Sequence, residues 1–191
     1  MIENGLTAIP ELETPNYLLR GMSIDDAESM FVFMSDQQTM RYITPHPVQS
    51  VDELTKNIKV SLTNFQESKE IPWVIVDKIS GDVIGMFRFH KFNFWHKKTE
   101  MGVVIREDYQ KRGVMSEILE VILPYGFDIL GLNRIVGDIF AENKGSEKLL
   151  QKFGFKKEGQ LRQTDFDGTR YHDTVVFSLL KSEYEKSNSV V

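Results

Sequence analysis

The sequence has no cysteine in any of its 191 positions. Disulfides, thiolate metal sites and a cysteine nucleophile are therefore excluded. No apolar run approaches the roughly 18–20 residues that cross a bilayer as a helix, so no membrane association is expected. The opening stretch, MIENGLTAIPELETPNY, carries neither a basic n-region nor a continuous apolar core. No signal peptide is expected from it, and the expected location is cytoplasmic. Basic charge is not in excess: 23 Lys and Arg stand against 28 Asp and Glu, a formal net charge of −5. That argues against nucleic acid as the main partner. Mild acidity can draw a cationic substrate by long-range attraction, and ordinary solubility accounts for it as well. Internal repeats and low-complexity segments are also missing.

The composition, 41% hydrophobic and 27% charged, is that of an ordinary globular protein. The length predicts one domain over 1–191, with a loose polar arm over 1–16 and a frayed tail over 182–191. Between them, helix and strand patterns alternate. Tyr17 to Arg20 reads as a short strand. Ser23-Ile-Asp-Asp26 is a capping start for a helix carrying Ala27, Met30, Phe31 and Met34. Ser50-Val-Asp-Glu53 opens another, with Val51, Leu54, Ile58, Leu62 and Phe65 at helical spacing. Pro45 and Pro47 make Arg41 to Gln49 a loop. Trp73 to Val76, Val83 to Phe92 and Thr99 to Ile105 are strand patterns, with Gly85 a candidate bulge and Asn93 to Lys98 a turn.

Gly113 to Leu130 reads as a helix interrupted at Pro124, which lacks an N–H and clashes with the carbonyl of Glu120. Arg134 to Phe140 is a strand, Ser146 to Phe153 a short helix, and Gly154 its cap. Phe155 to Leu161 and Tyr171 to Leu179 are strands joined through the turn signal Asp167-Gly168. Adjacent strands mixed with crossover helices predict an α/β fold with a mixed, mostly antiparallel sheet and helices on its faces.

One segment carries chemistry. Glu100 to Ser116 is a strand, a tight polar loop and a helix start. Unpaired N–H groups at a helix N-terminus, the helix dipole, Lys111, Arg112 and a permissive Gly113 together suit a phosphate. Alone, this pattern is common. Gln110-Lys-Arg-Gly113-Val-Met115 resembles the pyrophosphate loop of the GCN5-related N-acetyltransferases (GNAT), Gln/Arg-x-x-Gly-x-Gly/Ala. Leu132-Asn-Arg-Ile135, Ala141-Glu-Asn143-Lys-Gly-Ser146, Leu150 to Phe155, Glu158-Gly159 and Tyr171-His172-Asp173 resemble the RimJ/RimL branch of that family. The resemblance runs from about Leu18 to Tyr184.

It implies a seven-stranded sheet splayed open between its fourth and fifth strands, with acetyl-CoA in the splay. Backbone groups of Val103, Val104 and Ile105 would pair with the pantetheine arm. Gln110, Lys111, Arg112, Gly113, Val114, Met115 and Ser116 would hold the pyrophosphate, with Asn143 and Ser146 at the thioester end. Met115 departs from the usual Gly or Ala and has to turn its side chain into the core. The resemblance further implies acetyl transfer to a primary amine by direct attack in a ternary complex. The expected acceptor is a protein N-terminus, among these a ribosomal one, with the chain acting as a monomer or homodimer. A polyamine or aminoglycoside is the alternative acceptor, and a non-catalytic acyl-CoA-binding module the alternative of another class.

An α-amine near pKa 7.7–8 is roughly a tenth neutral at pH 7, whereas a lysine near 10.4 is only about 0.04% neutral. An α-amine thus needs only a weak base, such as a carboxylate working through water, and the departing thiolate needs a hydrogen-bond donor. Where many GNAT enzymes carry a donor tyrosine, this chain has Leu150, so Ser146 is the candidate donor, with a helix-capping role equally open. Asp165 and then Glu100 are the candidate bases. Glu158 is a third, better suited to a structural contact. His46, His90, His96 and His172 show no ligand-type spacing, so no metal site is expected. Arg20, Arg41 and Arg88 can pair with carboxylates of the fold or bind an acidic peptide. Trp73 and Trp95 read as core or edge aromatics.

Overall fold

The computed structural model describes residues 6–188. Its centre is one sheet of eight strands in the order β1-β2-β3-β4-β5-β6-β8-β7. The strands are β1 (Leu12–Glu13), β2 (Tyr17–Gly21), β3 (Glu70–Asp77), β4 (Val83–Asn93), β5 (Lys98–Ile105), β6 (Arg134–Phe140), β7 (Lys156–Phe166) and β8 (Tyr171–Leu180). The helices are α1 (Ala27–Met34), α2 (Gln37–Met40), α3 (Val51–Gln66), α4 (Val114–Pro124), α5 (Lys144–Lys152) and α6 (Lys181–Asn188). Every strand pairing is antiparallel except β5 with β6. Among the described residues no helix is long and apolar enough to cross a membrane.

Strand alternation sends side chains to two separate cores. Trp73, Ile75, Phe87 and Phe89 face α4, whose Ile118, Leu119 and Ile122 are fully buried against them. Val74, Met86 and Val104 face the other way, onto Met30 and Phe33 of α1 and Leu54 and Ile58 of α3. The caps read from sequence are present. The Ser23 hydroxyl and the Asp26 carboxylate form a reciprocal capping box, and the Ser50 hydroxyl accepts from the Glu53 N–H at 3.1 Å.

The sheet has eight strands where seven were expected, because the presumed loose arm is partly tied down. Residues 1–5 lie outside the described residues. Beyond them, Leu12 and Glu13 pair with β2, and Leu6, Ile9 and Leu12 pack on the α4-side core. The buried Trp73 indole N–H also finds its acceptor there, the Pro10 carbonyl at 2.7 Å. The presumed frayed tail is likewise helical through Asn188, with the Tyr184 ring stacked on Phe127 at 4.9 Å. Residues 189–191 lie outside the described residues.

Two local irregularities shape the centre. After Pro124 the α4 ladder gives way to one π-helical turn, Tyr125–Ile129, in which the Leu130 N–H donates to the Tyr125 carbonyl. A proline cannot donate to the Glu120 carbonyl four residues before it, and the regular ladder ends at that point. On β4 the register to β3 shifts by one residue beside Gly85, as its glycine suggests. A Cβ on Gly85 would lie 2.5 Å from the Val104 carbonyl oxygen and 2.9 Å from the Ile105 side chain. Glycine therefore lets β5 sit close at the point where it enters the cleft.

Gly85→Ala is expected to push β5 outward and cost about 1–3 kcal/mol, as overpacking does. Urea unfolding measures it, and a loss within experimental error would show that β5 does not depend on this contact.

Candidate active site

β5 and β6 run side by side for only three residue pairs, Lys98–Arg134, Thr99–Ile135 and Glu100–Val136. Beyond Glu100 they part, because β5 stays paired with β4 as far as Ile105 and β6 stays paired with β8 as far as Phe140. The edge of β5 that faces β6 is left without a strand beside it from Met101 to Ile105. Unpaired backbone groups on such an edge require a partner. The resulting opening is a cleft with two halves that share Tyr42, Ile43, Val103 and Val104 as common walls.

The first half has a volume of about 470 Å³ and is built at two helix N-termini. Gly113 caps α4 at φ 87° and Lys111 sits at φ 60°, so the loop turns sharply before the helix starts. The Gln110 side chain donates to the Ile105 carbonyl at 2.9 Å and fixes the loop to the end of β5. The Ser116 N–H donates to the Gly113 carbonyl at 2.9 Å, which leaves the earlier amides as the outward-facing donors. Arg112 lies over the Tyr109 ring at 5.4 Å. Met115 lines the cleft while also packing on the core. Opposite, Asn143 caps α5, its side-chain oxygen accepting from the Ser146 N–H at 3.1 Å. The cap is thus Asn143, and the Ser146 hydroxyl lines the cleft without a hydrogen-bond partner among the described residues. Leu150 is 3% exposed and lies in the core, so it does not reach the cleft. Positive helix ends, Lys111 and open amides make this half suited to an anionic, phosphate-bearing ligand.

The second half, about 440 Å³, has largely apolar walls and carries charges of both signs. Across the sheet, on the face away from α4, the register sets Glu70 opposite His90 and His90 opposite Glu100. Arg88 and Asp138 share that face. Glu100 pairs with Lys91 at 2.6 Å, and Arg88 lies 3.7 Å from the buried Glu70. Asp165 accepts from Thr164 at 2.7 Å and Thr174 at 2.9 Å. The structure therefore brings Glu100 and Asp165 to one half of the cleft and Ser146 to the other. Burial, with Arg88 adding to it, pushes the His90 imidazole down to about 4, so it is neutral at pH 7. Glu158 is tied to Ser178 and, at 3.0 Å, to Arg134, the structural contact its position suggests. His46 and Trp95 are exposed outside the cleft, Trp73 is in the core, and Arg20 is spent on a bidentate pair with Asp26.

One residue was not singled out from sequence. Asp138 lies on β6, across the opening from Glu100, and lines the same half of the cleft. Asp138 is solvent-exposed, and its carboxyl is nonetheless raised above the usual Asp range, first by partial desolvation beside the strand and then by the Glu100 carboxylate. Among the described residues it has neither an ion-pair nor a hydrogen-bond partner. The available signal was a lone acid inside an otherwise apolar strand pattern, Arg-Ile-Val-Gly-Asp-Ile-Phe, at the splay.

A raised carboxyl binds its proton more tightly in the folded chain than in the unfolded one. Ionised Asp138 therefore costs stability at neutral pH, and the cost disappears once both states are protonated. Asp138→Asn is expected to raise the urea midpoint at pH 7 and to lose that advantage below about pH 3.9. An unchanged or lowered midpoint at pH 7 would contradict the raised carboxyl.

Comparisons with known proteins bear on this geometry. Residues 16–156 match the acetyltransferase (GNAT) domain family. The chain is 34% identical over 172 residues to an uncharacterized N-acetyltransferase of Bacillus subtilis, YoaA, covering 90% of this chain and 97% of that one. It resembles the solved spermidine N-acetyltransferase of Vibrio cholerae in complex with CoA and spermine, with TM-score 0.79, 25% identity and coverage of 89% and 98%. It shares its fold with the ribosomal α-N-protein acetyltransferase RimL in complex with CoA, with TM-score 0.82, 17% identity and coverage of 90% and 98%.

Proposed function

The chain belongs to the GNAT family of N-acetyltransferases and uses acetyl-CoA as cosubstrate, and we propose that it acetylates the α-amine of a protein N-terminus, ribosomal proteins being candidates. The observation that carries this reading is the unpaired, raised Asp138 carboxylate across the splay from Glu100. A carboxylate is a weak base even when raised. It suits an α-amine, already partly neutral at pH 7, far better than an alkylamine near 10.4.

In this reading the pyrophosphate lies on the amides from Lys111 to Met115, with Gln110 bracing the loop and Lys111 and Arg112 adding positive charge. The pantetheine arm takes the open edge of β5 at Val103, Val104 and Ile105, as a further strand would. The amine enters from the Glu100 side and attacks the thioester carbonyl carbon. The C–N bond forms, the C–S bond breaks, and the amine proton leaves through water to Asp138, with Asp165 and Glu100 as its acidic neighbours. The Ser146 hydroxyl donates a hydrogen bond to the departing sulfur. Mixed charges around the acceptor half, Arg88 and Lys91 beside the three acids, suit a peptide backbone with both donors and acceptors.

A second acceptor has specific support. Three carboxylates, Glu100, Asp138 and Asp165, line the acceptor half, and a relative of this chain is a spermidine acetyltransferase solved with spermine. A polyamine is therefore the competing substrate.

Acetyl transfer to a panel of N-terminal peptides and to spermidine decides between them. Peptides are expected to give the higher kcat/KM, and turnover of spermidine alone would overturn the peptide reading. Ser146→Ala is expected to lower kcat by about 10²-fold, the scale seen on removing a single donor to developing charge, with CoA affinity unchanged. An unchanged kcat would remove Ser146 from the chemistry.

A further inference from the structure

Behind the cofactor half of the cleft lies a histidine that the reaction scheme does not use. His172 is the second residue of β8 and is only 8% exposed. Its ring stacks on Phe140 at 5.2 Å between centroids and 9° between planes. Its Nε2 lies 2.6 Å from Asp167 in the β7–β8 turn, and its Nδ1 lies 3.3 Å from Glu142 in the loop between β6 and α5. A carboxylate oxygen only accepts, so each ring nitrogen has to donate, and the ring that satisfies both is the imidazolium.

Glu142 is the residue before Asn143, and both line the cofactor half of the cleft with Ser146. The Ala141 N–H donates to the Asp173 carbonyl at 2.9 Å, so the same strand end holds the loop by its backbone as well. We infer that His172 is a positioning residue, a cationic clamp between Asp167 and Glu142 that sets the 141–143 loop and, through the Asn143 cap, the place of Ser146. The inference deepens the acetyltransferase reading and rests on it for the role of Ser146.

The clamp has a sense in pH. The charged groups around the ring are Asp167 and Arg170 from the turn, Glu142 from the loop, and Asp165 set across from it on β7. Asp167, which also accepts from Thr169 and Arg170, is held well below the usual carboxylate range. His172 is raised above 6.5, by Asp167 first, and against the opposing Arg170 charge. A raised histidine holds its contribution at low pH and loses it as pH rises through its folded value. The clamp is therefore closed at low pH and opens as pH rises through that raised value.

The test compares wild type, His172→Gln and Glu142→Gln from about pH 6 to about pH 9. By NMR, the His172 Cε1 proton and the Ser146 amide of wild type are expected to titrate together with a midpoint above the ordinary 6.5. In Glu142→Gln the Ser146 amide stops following the histidine. Under saturating substrates His172→Gln is expected to lower neutral-pH kcat about tenfold, a modest share of the roughly 10²-fold loss attached to a 1 Å misplacement. Calorimetric affinity for CoA is expected to fall less than kcat does, because the 110–115 loop does not touch the clamp. A Ser146 amide that ignores the His172 titration overturns the clamp, and so does a kcat equal to wild type in both variants when Ser146→Ala is itself impaired. If Ser146→Ala keeps full kcat while Ser146 still co-titrates with His172, the catalytic reading of Ser146 fails and the clamp on the loop stands.

Discussion

The structure depends on the parting of β5 from β6. Each strand is fully paired on its outer side, β5 to β4 and β6 to β8. The two half-sheets are held together by only three parallel residue pairs. Each half follows its own twist, and the opening between them is the consequence. An open strand edge is a liability in a protein that must not aggregate. Here it lies inside a cleft walled by Tyr42, Ile43 and the N-termini of α4 and α5, where a ligand backbone can supply the missing hydrogen bonds. The devices nearest the cleft serve that opening. Gly85 lets β5 approach β4 closely, Gln110 fixes the phosphate loop to the end of β5, and Asn143 fixes α5 across the gap.

The splay also separates two kinds of electrostatics. On one side, helix ends and basic side chains favour an anion. On the other, acids dominate, and one of them, Asp138, is held with its proton affinity raised. A carboxyl whose proton affinity rises on folding reduces stability when it is ionised. It persists where a reacting group benefits from a base of that strength. His90, set between Glu70 and Glu100 on the same face, is held neutral. This half of the cleft thus contains a carboxyl of raised proton affinity and a neutral imidazole, with the nearby cations engaged by Glu70 and Glu100.

Much of this was legible in the sequence because the signals are local. Ser23, Ser50 and Gly113 mark helix starts by their own chemistry, and the bulge at Gly85 and the break at Pro124 follow from single residues. The 110–116 loop and the segment from Asn143 to Ser146 are contiguous, so a family pattern could carry them to the cleft that they line. What escaped is non-local. β1 exists because Leu12 and Glu13 meet β2, and α6 is covered through the stacking of Tyr184 on Phe127 across more than fifty residues of chain. Asp138 becomes notable only when β6 is set beside Glu100. The His172 clamp joins two loops whose proximity no spacing encodes. Leu150, which stands where many GNAT enzymes carry a donor tyrosine, lies in the core, one residue out of step with the cleft-lining Leu149.

The account stands or falls on where acetyl-CoA lies. Backbone amide shift mapping by NMR during titration with acetyl-CoA tests this most directly. The account predicts saturable changes concentrated at Val103 to Ile105, Lys111 to Met115 and Asn143 to Ser146, with little change along Lys69 and Glu70. Shifts centred elsewhere, or none at about millimolar cofactor, a concentration at which even a binder of only about −4 kcal/mol would be half saturated, would contradict it.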